Sequence, residues 1–310
     1  MKLCEYIQSK GLPLEENIFL LSNSRFPGEI PNCIDWPATE SQSPVARLKR
    51  KTLSILSSEE SYVFNLPKET SPIFFGRTNR SMDSICGLKA LFRLISRETK
   101  NRYTILCGKG DYNFSNHLLR LVPKNVSKIF LNNLDVKDER LMYFPMGRDF
   151  RACHLFEEFK PKDDRSQLLY CNFSTNTHPV RERIYQLIKS KDYITFDHMG
   201  NFLEYSLSRE EFYGKLSSSK FAICPRGNAI DTFRMWDCLY LGVIPIVIRE
   251  AVFHEDLLDL PILFLDSISD FYSLTPEYLE KKFSEMLTQE WNYEKLKLSF
   301  WMSKIGTTMC

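Results

Sequence analysis

The sequence lacks any apolar run of the roughly 18 residues that a membrane-spanning helix needs. Met1 to Gly11 holds no long apolar core of the secretory kind. A cytoplasmic protein with no membrane anchor is therefore expected, and the four N-x-S/T sequons at Asn79, Asn113, Asn125 and Asn172 read as chance matches. An excess of charge of either sign is also missing. Lys and Arg number 41 against 39 Asp and Glu, a net of +2, too small for a global field that would draw the chain to nucleic acid or an anionic membrane. No basic stripe interleaved with aromatics compensates for this, so a nucleic-acid role is not expected. Any anion must be held by a few local cations. The nine cysteines contain no C-x-x-C pair and no His/Cys cluster with zinc spacing, so no metal site is expected. Several lie in apolar runs (Leu106-Cys107, Tyr170-Cys171, Ile223-Cys224) and read as reduced, buried thiols.

What is present is a chain of 310 residues, 43% hydrophobic and 26% charged, a soluble globular composition and a length suited to two domains. The first eighty residues are the least patterned, with short strands expected at Asn17–Leu21 and Tyr62–Leu66. Beyond Met82, strands and helices alternate. A helix is expected over Cys86–Ile95, a strand over Tyr103–Cys107, a helix over His117–Leu121, and strands over Lys128–Leu131 and Leu141–Phe144. After a polar stretch the alternation restarts, with strands near Leu168–Asn172, Tyr193–Phe196, Phe221–Cys224, Val243–Ile248 and Ile262–Leu265. Helices fall at Pro179–Ile188, Arg209–Leu216, Asp231–Leu241, Pro276–Gln289 and near Tyr293–Met302. This is the signature of parallel α/β sheets. We read residues 1–156 and 168–310 as two Rossmann-like domains, with residues 157–167 as a linker and the last helix able to pack back on the first domain. Ligands of such sheets bind at the carboxyl ends of the strands.

The segment Lys220–Ile248 carries the chemistry. A buried strand runs into Pro225-Arg226-Gly227-Asn228 and then a helix starting near Asp231 or Thr232. A Gly-bearing turn before a helix N-terminus offers unpaired N–H groups and a positive dipole end to an anion, and Arg226 adds a bidentate cation. Arg234 and Asp237, three apart on the helix, suit a diphosphate and ribose hydroxyls; alone they would be an ordinary surface pair worth a few tenths of a kcal/mol. A second strand, Leu168–Asn172, enters a polar loop with Asn172 and Ser174. The helix after it carries Arg181 and Arg183 in its first turns, where basic residues are disfavoured unless an anion sits there. Either is a candidate phosphate ligand.

The run Cys224-Pro225-Arg226-Gly227-Asn228, then Asp231-Thr232-x-Arg234-x-Trp236-Asp237-x-Leu239-Tyr240-x-Gly242-x-Ile244-Pro245-Ile246-Val247, resembles the C-terminal signature of exostosin-like glycosyltransferases. Asp256-Leu257-x-x-Leu260-Pro261-Ile262-Leu263 fits the loop and strand that follow it. The resemblance spans Glu211 to Asp266 and implies a GT-B α/β fold, two Rossmann-like domains facing a central cleft. The N-terminal domain would bind a glycan acceptor and the C-terminal domain a nucleotide-sugar donor, a UDP-sugar ahead of a GDP-sugar, with no other cofactor. By position, Arg226 and Arg234 would meet the donor diphosphate, with Gly227, Asn228 and Thr232 around them. Asp237 would stand where the family has an acidic residue holding the ribose, usually Glu.

No Asp-x-Asp occurs in the sequence, so metal-independent, inverting transfer is expected, with the arginines meeting charge on the departing diphosphate. Inversion also needs a general base. Asp111, after the Tyr103–Cys107 strand and two glycines, is the first candidate, against its reading as a plain turn aspartate. Glu250, after Val243–Ile248, is the second, or else positions donor or acceptor. Asp149 reads as part of the crossover between domains. His178 and His254 fall on loops after strands, where a lone histidine is more often a satisfied structural residue than a base. The competing readings are a fucosyltransferase-like GT-B enzyme using a GDP-sugar and an inert GT-B protein that binds a glycan or partner.

Overall fold

The computed structural model describes residues 33–34, 73–75, 88–89, 92–93, 95–97, 102–107, 113–148, 155–159, 164–197, 207–297, 300–301 and 303–304. They divide into two compact units, the first ending at Phe144 and the second starting at Pro145. Each is built on a five-stranded parallel sheet, the two-unit α/β architecture expected of a GT-B chain.

The first sheet runs in sequence order: β1 (Cys33–Ile34), β2 (Ile73–Phe75), β3 (Tyr103–Cys107), β4 (Val126–Leu131) and β5 (Leu141–Tyr143). β1 and β2 were not anticipated, since two or three apolar residues show no periodicity. The expected strands at 17–21 and 62–66 lie outside the described residues. Helical backbone at Leu88, Phe92 and Ile95 puts three side chains of one helix face into the core at 0–1% exposure. The short helix α1 (Asn116–Leu119) follows β3.

In the second unit, α2 (Leu155–Glu158) precedes β6 (Gln167–Cys171), α3 (Pro179–Ile188), β7 (Ile194–Phe196), α4 (Arg209–Ser217), β8 (Ser219–Ile223), α5 (Phe233–Tyr240), β9 (Ile244–Ile248), β10 (Leu263–Leu265) and α6 (Pro276–Thr288). The strand order is β10-β9-β8-β6-β7, all parallel. The chain steps from β6 outward to β7 and returns on the other side of β6, so the order reverses between β6 and β8. A doubly wound sheet binds its ligands at such a reversal. Where a further helix was expected near Tyr293–Met302, a 3-10 turn forms at Tyr293–Leu296, with helical backbone again at Phe300 and Trp301.

The pleat sorts the core. Leu169, Cys171, Phe221, Ile223, Ile244 and Ile246 share one cluster with Ile184 and Ile188 of α3 and Leu279 of α6. The intervening residues look the other way, as Tyr170 meets Phe212 of α4 at 6.2 Å while Phe221 meets Phe283 of α6 at 5.9 Å. Helix ends follow their sequence signals. Ser208 and Glu211 close a capping box on α4, and Pro179 and Pro276 open α3 and α6. α5 stops in a Schellman turn: Gly242 takes φ 69°, and the Val243 and Gly242 N–H groups donate to the Cys238 and Leu239 carbonyls.

The stretch expected as a linker contains the end of α2 and the start of β6, and within it a buried arginine. Arg165, 6% exposed, donates to the carbonyls of Ser217 (2.7 Å) and Ser219 (2.9 Å) through Nη1 and of Leu241 (2.9 Å) through Nη2. The Ser217 and Leu241 carbonyls lie at the carboxyl ends of α4 and α5, where a cation is favoured, and Ser219 opens β8.

Candidate functional site

Because the strands are parallel, the loops leaving β6, β8 and β9 share one edge of the second sheet, and most of the candidate residues stand on them. The loop after β8 is Cys224-Pro225-Arg226-Gly227-Asn228. The Arg181 guanidinium braces it. Arg181, third residue of α3, donates from Nε to the Arg226 carbonyl (2.8 Å), from Nη2 to the Pro225 carbonyl (3.2 Å) and from Nη1 to the Ser174 carbonyl (3.2 Å). It lies over the Phe173 ring at 5.6 Å. Gly227 makes this approach possible, since a Cβ there would stand 2.9 Å from Arg181 Nη2. Arg234, second residue of α5, donates to Asn172 Oδ1 (3.2 Å) and lies over the Phe212 ring at 5.5 Å. The loops after β6 and β8 are thus tied together by Arg181, and Arg234 ties the start of α5 to the first of them.

Arg226 behaves differently. Its side chain is 15% exposed and its Nε lies 3.9 Å from Glu250 Oε1. Nε is closed from solvent with no hydrogen-bond partner among the described residues. Positive charge gathers around the neighbouring Arg181 and His178. Burial first, then the Arg234 guanidinium, pull the Arg181 value down to about 9, at which an arginine is still charged at neutral pH. Burial, then Arg226 and Arg181, lower His178, whose Nδ1 accepts from Val180 N–H as the cap of α3. The N-termini of α3 and α5 add their positive dipole ends at the same edge.

The remaining candidates are placed as follows. Thr232 is the N-cap of α5, its hydroxyl accepting from Met235 N–H. Ser174 is buried and donates to Asn176 Oδ1 (2.6 Å). Asn228 is exposed at the tip of the turn, and Arg183 is exposed on α3, outside the cluster. Asp237 is 3% exposed and accepts from the Tyr213 hydroxyl of α4 (2.9 Å), so α4 meets both functional side chains of α5 through adjacent aromatics. Asp111 and Asp149 lie outside the described residues.

Three residues gained importance only with the structure. Asp231 is fully buried, with Oδ2 accepting from Met146 N–H (2.7 Å) and Oδ1 from Trp236 Nε1 (2.9 Å). It anchors the start of α5 to the Pro145-Met146-Gly147 segment, where Gly147 takes φ 72°. Phe212 and Tyr213, which flank Arg234 and Asp237, read in sequence as ordinary core aromatics. Cys107, Cys171, Cys224 and Cys238 are free and buried, with Cys224 and Cys238 sulfurs 3.6 Å apart; burial raises the Cys171 thiol. Among the described residues no three His, Cys, Asp or Glu side chains gather to hold a metal ion, and no helix is long and apolar enough to cross a membrane.

No protein-family model matches the chain, and no curated protein sequence matches it. Solved structures similar to it include an α1,3-fucosyltransferase, 14% identical, covering 81% of this chain and 93% of that one at a TM-score of 0.42. An α1,3-fucosyltransferase with GDP is 15% identical, covers 96% of each chain and scores 0.43. A UDP-forming α,α-trehalose-phosphate synthase from Burkholderia xenovorans, in complex with glucose-6-phosphate, is 9% identical, covers 85% of this chain and 76% of that one, and scores 0.41. At such values the likeness assigns no role to any residue of this chain.

Proposed function

We propose that the chain is a glycosyltransferase that moves a sugar from a nucleotide-sugar donor to a hydroxyl of a glycan acceptor, inverting the anomeric centre and without a metal ion. The observation that carries this reading is Arg226. A mostly buried guanidinium whose closed-off Nε makes no hydrogen bond among the described residues stands at the carboxyl ends of the central strands, on the loop that Arg181 braces and near two helix N-termini. Leaving that buried donor unmade costs about 1–3 kcal/mol, and an incoming diphosphate would satisfy it together with a neighbouring Nη in a bidentate contact. The exostosin-like signature over Cys224–Val247 supports a UDP-sugar as donor.

In this reading Arg226 and Arg234 take up charge as the diphosphate departs, and Arg181 holds the loop that presents Arg226. Asn172 and Ser174 line the neighbouring loop, with Gly227, Asn228 and the Thr232 cap completing the donor side. Asp237 holds the ribose only by exchanging the Tyr213 hydroxyl for those of the sugar. Asp111 is the proposed base, and Glu250 orients Arg226. A donor-panel assay tests the reading: turnover of one nucleotide-sugar that is lost in Arg226→Ala supports it, and no turnover of any donor overturns it.

A further inference from the structure

His254 sits in the 3-10 turn Val252–Leu257 that follows β9. Its ring is 1% exposed, edge-on to Phe253 at 4.5 Å and tilted against Phe264 of β10 at 5.4 Å. Nδ1 accepts from two consecutive backbone amides, Glu250 N–H at 3.2 Å and Ala251 N–H at 3.4 Å. Accepting there requires a bare Nδ1, so the proton of the neutral ring sits on Nε2. This is the part that Glu or Gln plays in a capping box, reaching back to the N–H groups at the start of a helical turn.

The opposite side of the ring shows what the histidine is for. Nε2 is closed from solvent and has no hydrogen-bond partner among the described residues. Leaving a buried donor unmade is costly, and a leucine would fill the same apolar space without that cost. The imidazole is therefore explained by its Nδ1 side. The backbone held there carries Glu250, whose Oε1 lies 3.9 Å from Arg226 Nε.

We propose that His254 is a positioning residue: by accepting from the Glu250 and Ala251 amides it fixes the chain leaving β9 so that Glu250 stands against Arg226. Its consequence for turnover rests on the donor-site reading above, while its effect on Glu250 and Arg226 stands on geometry alone. Protonation would turn Nδ1 into a donor and break both bonds. The ring is kept neutral by burial and then by the Arg249 guanidinium, which hold its value down to about 4. Arg249 pairs with Asp266 beyond β10 (2.6 Å). Phe253 and Phe264 bring no charge, and Glu250 and Glu255 lie on the histidine's own segment.

The test compares the full chain with His254→Asn, which offers an oxygen near the place of Nδ1 and does not titrate, and with His254→Leu, which offers no acceptor. The first readout is the amide resonance of Glu250 and the Nε–H resonance of Arg226 in ¹H–¹⁵N spectra from about pH 7 to about pH 4. Wild type and His254→Asn should share both positions at neutral pH, and His254→Leu should displace both. Acid should carry the wild type toward the leucine positions and leave His254→Asn in place. The second readout is donor turnover: His254→Leu should lower kcat about tenfold with KM for the donor nearly unchanged, and His254→Asn should restore it. The proposal is overturned if His254→Leu moves neither resonance or if His254→Asn moves both as leucine does. Should His254→Leu not fold, the acid titrations decide alone: a transition in the wild type only supports the proposal, and none, or the same one in both, overturns it. If no donor is turned over by the wild type, the donor reading fails, and the resonances still decide the role of His254.

Discussion

Where β6 begins, Arg165 is closed into the second unit and gives its guanidinium to three carbonyls; at the opposite edge of the same sheet Arg226, also mostly buried, gives its own to none among the described residues. One residue type thus serves two purposes within one fold. Arg165 answers the negative carboxyl ends of α4 and α5 and completes the structure. Arg226 stands on the loop that Arg181 braces, near the positive amino ends of α3 and α5, where its Nε faces Glu250 at 3.9 Å without a hydrogen bond among the described residues. An arginine whose buried Nε the fold leaves without a hydrogen bond is available to a ligand.

That contrast can be broken by experiment. Arg165→Met should have the largest effect, lowering stability by about 4 kcal/mol in urea unfolding because three buried carbonyls lose a charged donor, while turnover per folded molecule stays close to wild type. Next comes acid. His254 has a folded-state value near 4, below the ordinary imidazole value of about 6.5, so between the two the unfolded chain binds a proton that the folded chain refuses. Stability present above about pH 6.5 should therefore fall as the pH drops toward 4, by about 3 kcal/mol in all, and His254→Asn should remove that part of the pH dependence. Arg226→Ala should reverse the Arg165 pattern, lowering kcat/KM for the donor about 100-fold with ligand-free stability unchanged or raised. Gly227→Ala should push Arg181 from the Pro225 carbonyl and cost about 1 kcal/mol, with a weaker donor KM. Arg183→Ala, on the exposed side of α3, should change stability by less than about 0.5 kcal/mol and leave turnover alone.

The second unit was largely legible because its signals are local. Pro179 and Pro276 mark helix starts, Thr232 caps α5, Gly242 ends it, and the apolar runs at Phe221–Ile223 and Ile244–Ile248 are buried strands flanking a turn that contains an arginine. The signature around Arg226 and Arg234 therefore falls on one edge of that sheet, where β6, β8 and β9 end. What sequence could not show are contacts made across distance. Arg165 sits in a polar stretch that reads as a linker, and its partners lie some fifty and seventy-six positions away. Arg181 suggested a phosphate ligand by its place in a first turn, yet three of its donors are spent on carbonyls that only the adjacency of β6 and β8 brings near. Asp231 and Tyr213 carry no pattern that separates them from a turn aspartate and a core tyrosine. His254 stood out only as a lone histidine, since an acceptor for two backbone amides has no signature in side-chain spacing.

The central claim is that Arg226 is held for a nucleoside diphosphate, and thermal unfolding of wild type and Arg226→Ala in the presence of UDP and of GDP tests it most directly. A ligand bound only by the folded chain raises the midpoint by mass action. One of the two nucleotides should raise Tm of the wild type in a concentration-dependent way and leave Arg226→Ala unmoved. No shift of the wild type with either nucleotide, or an equal shift in the variant, would contradict the assignment.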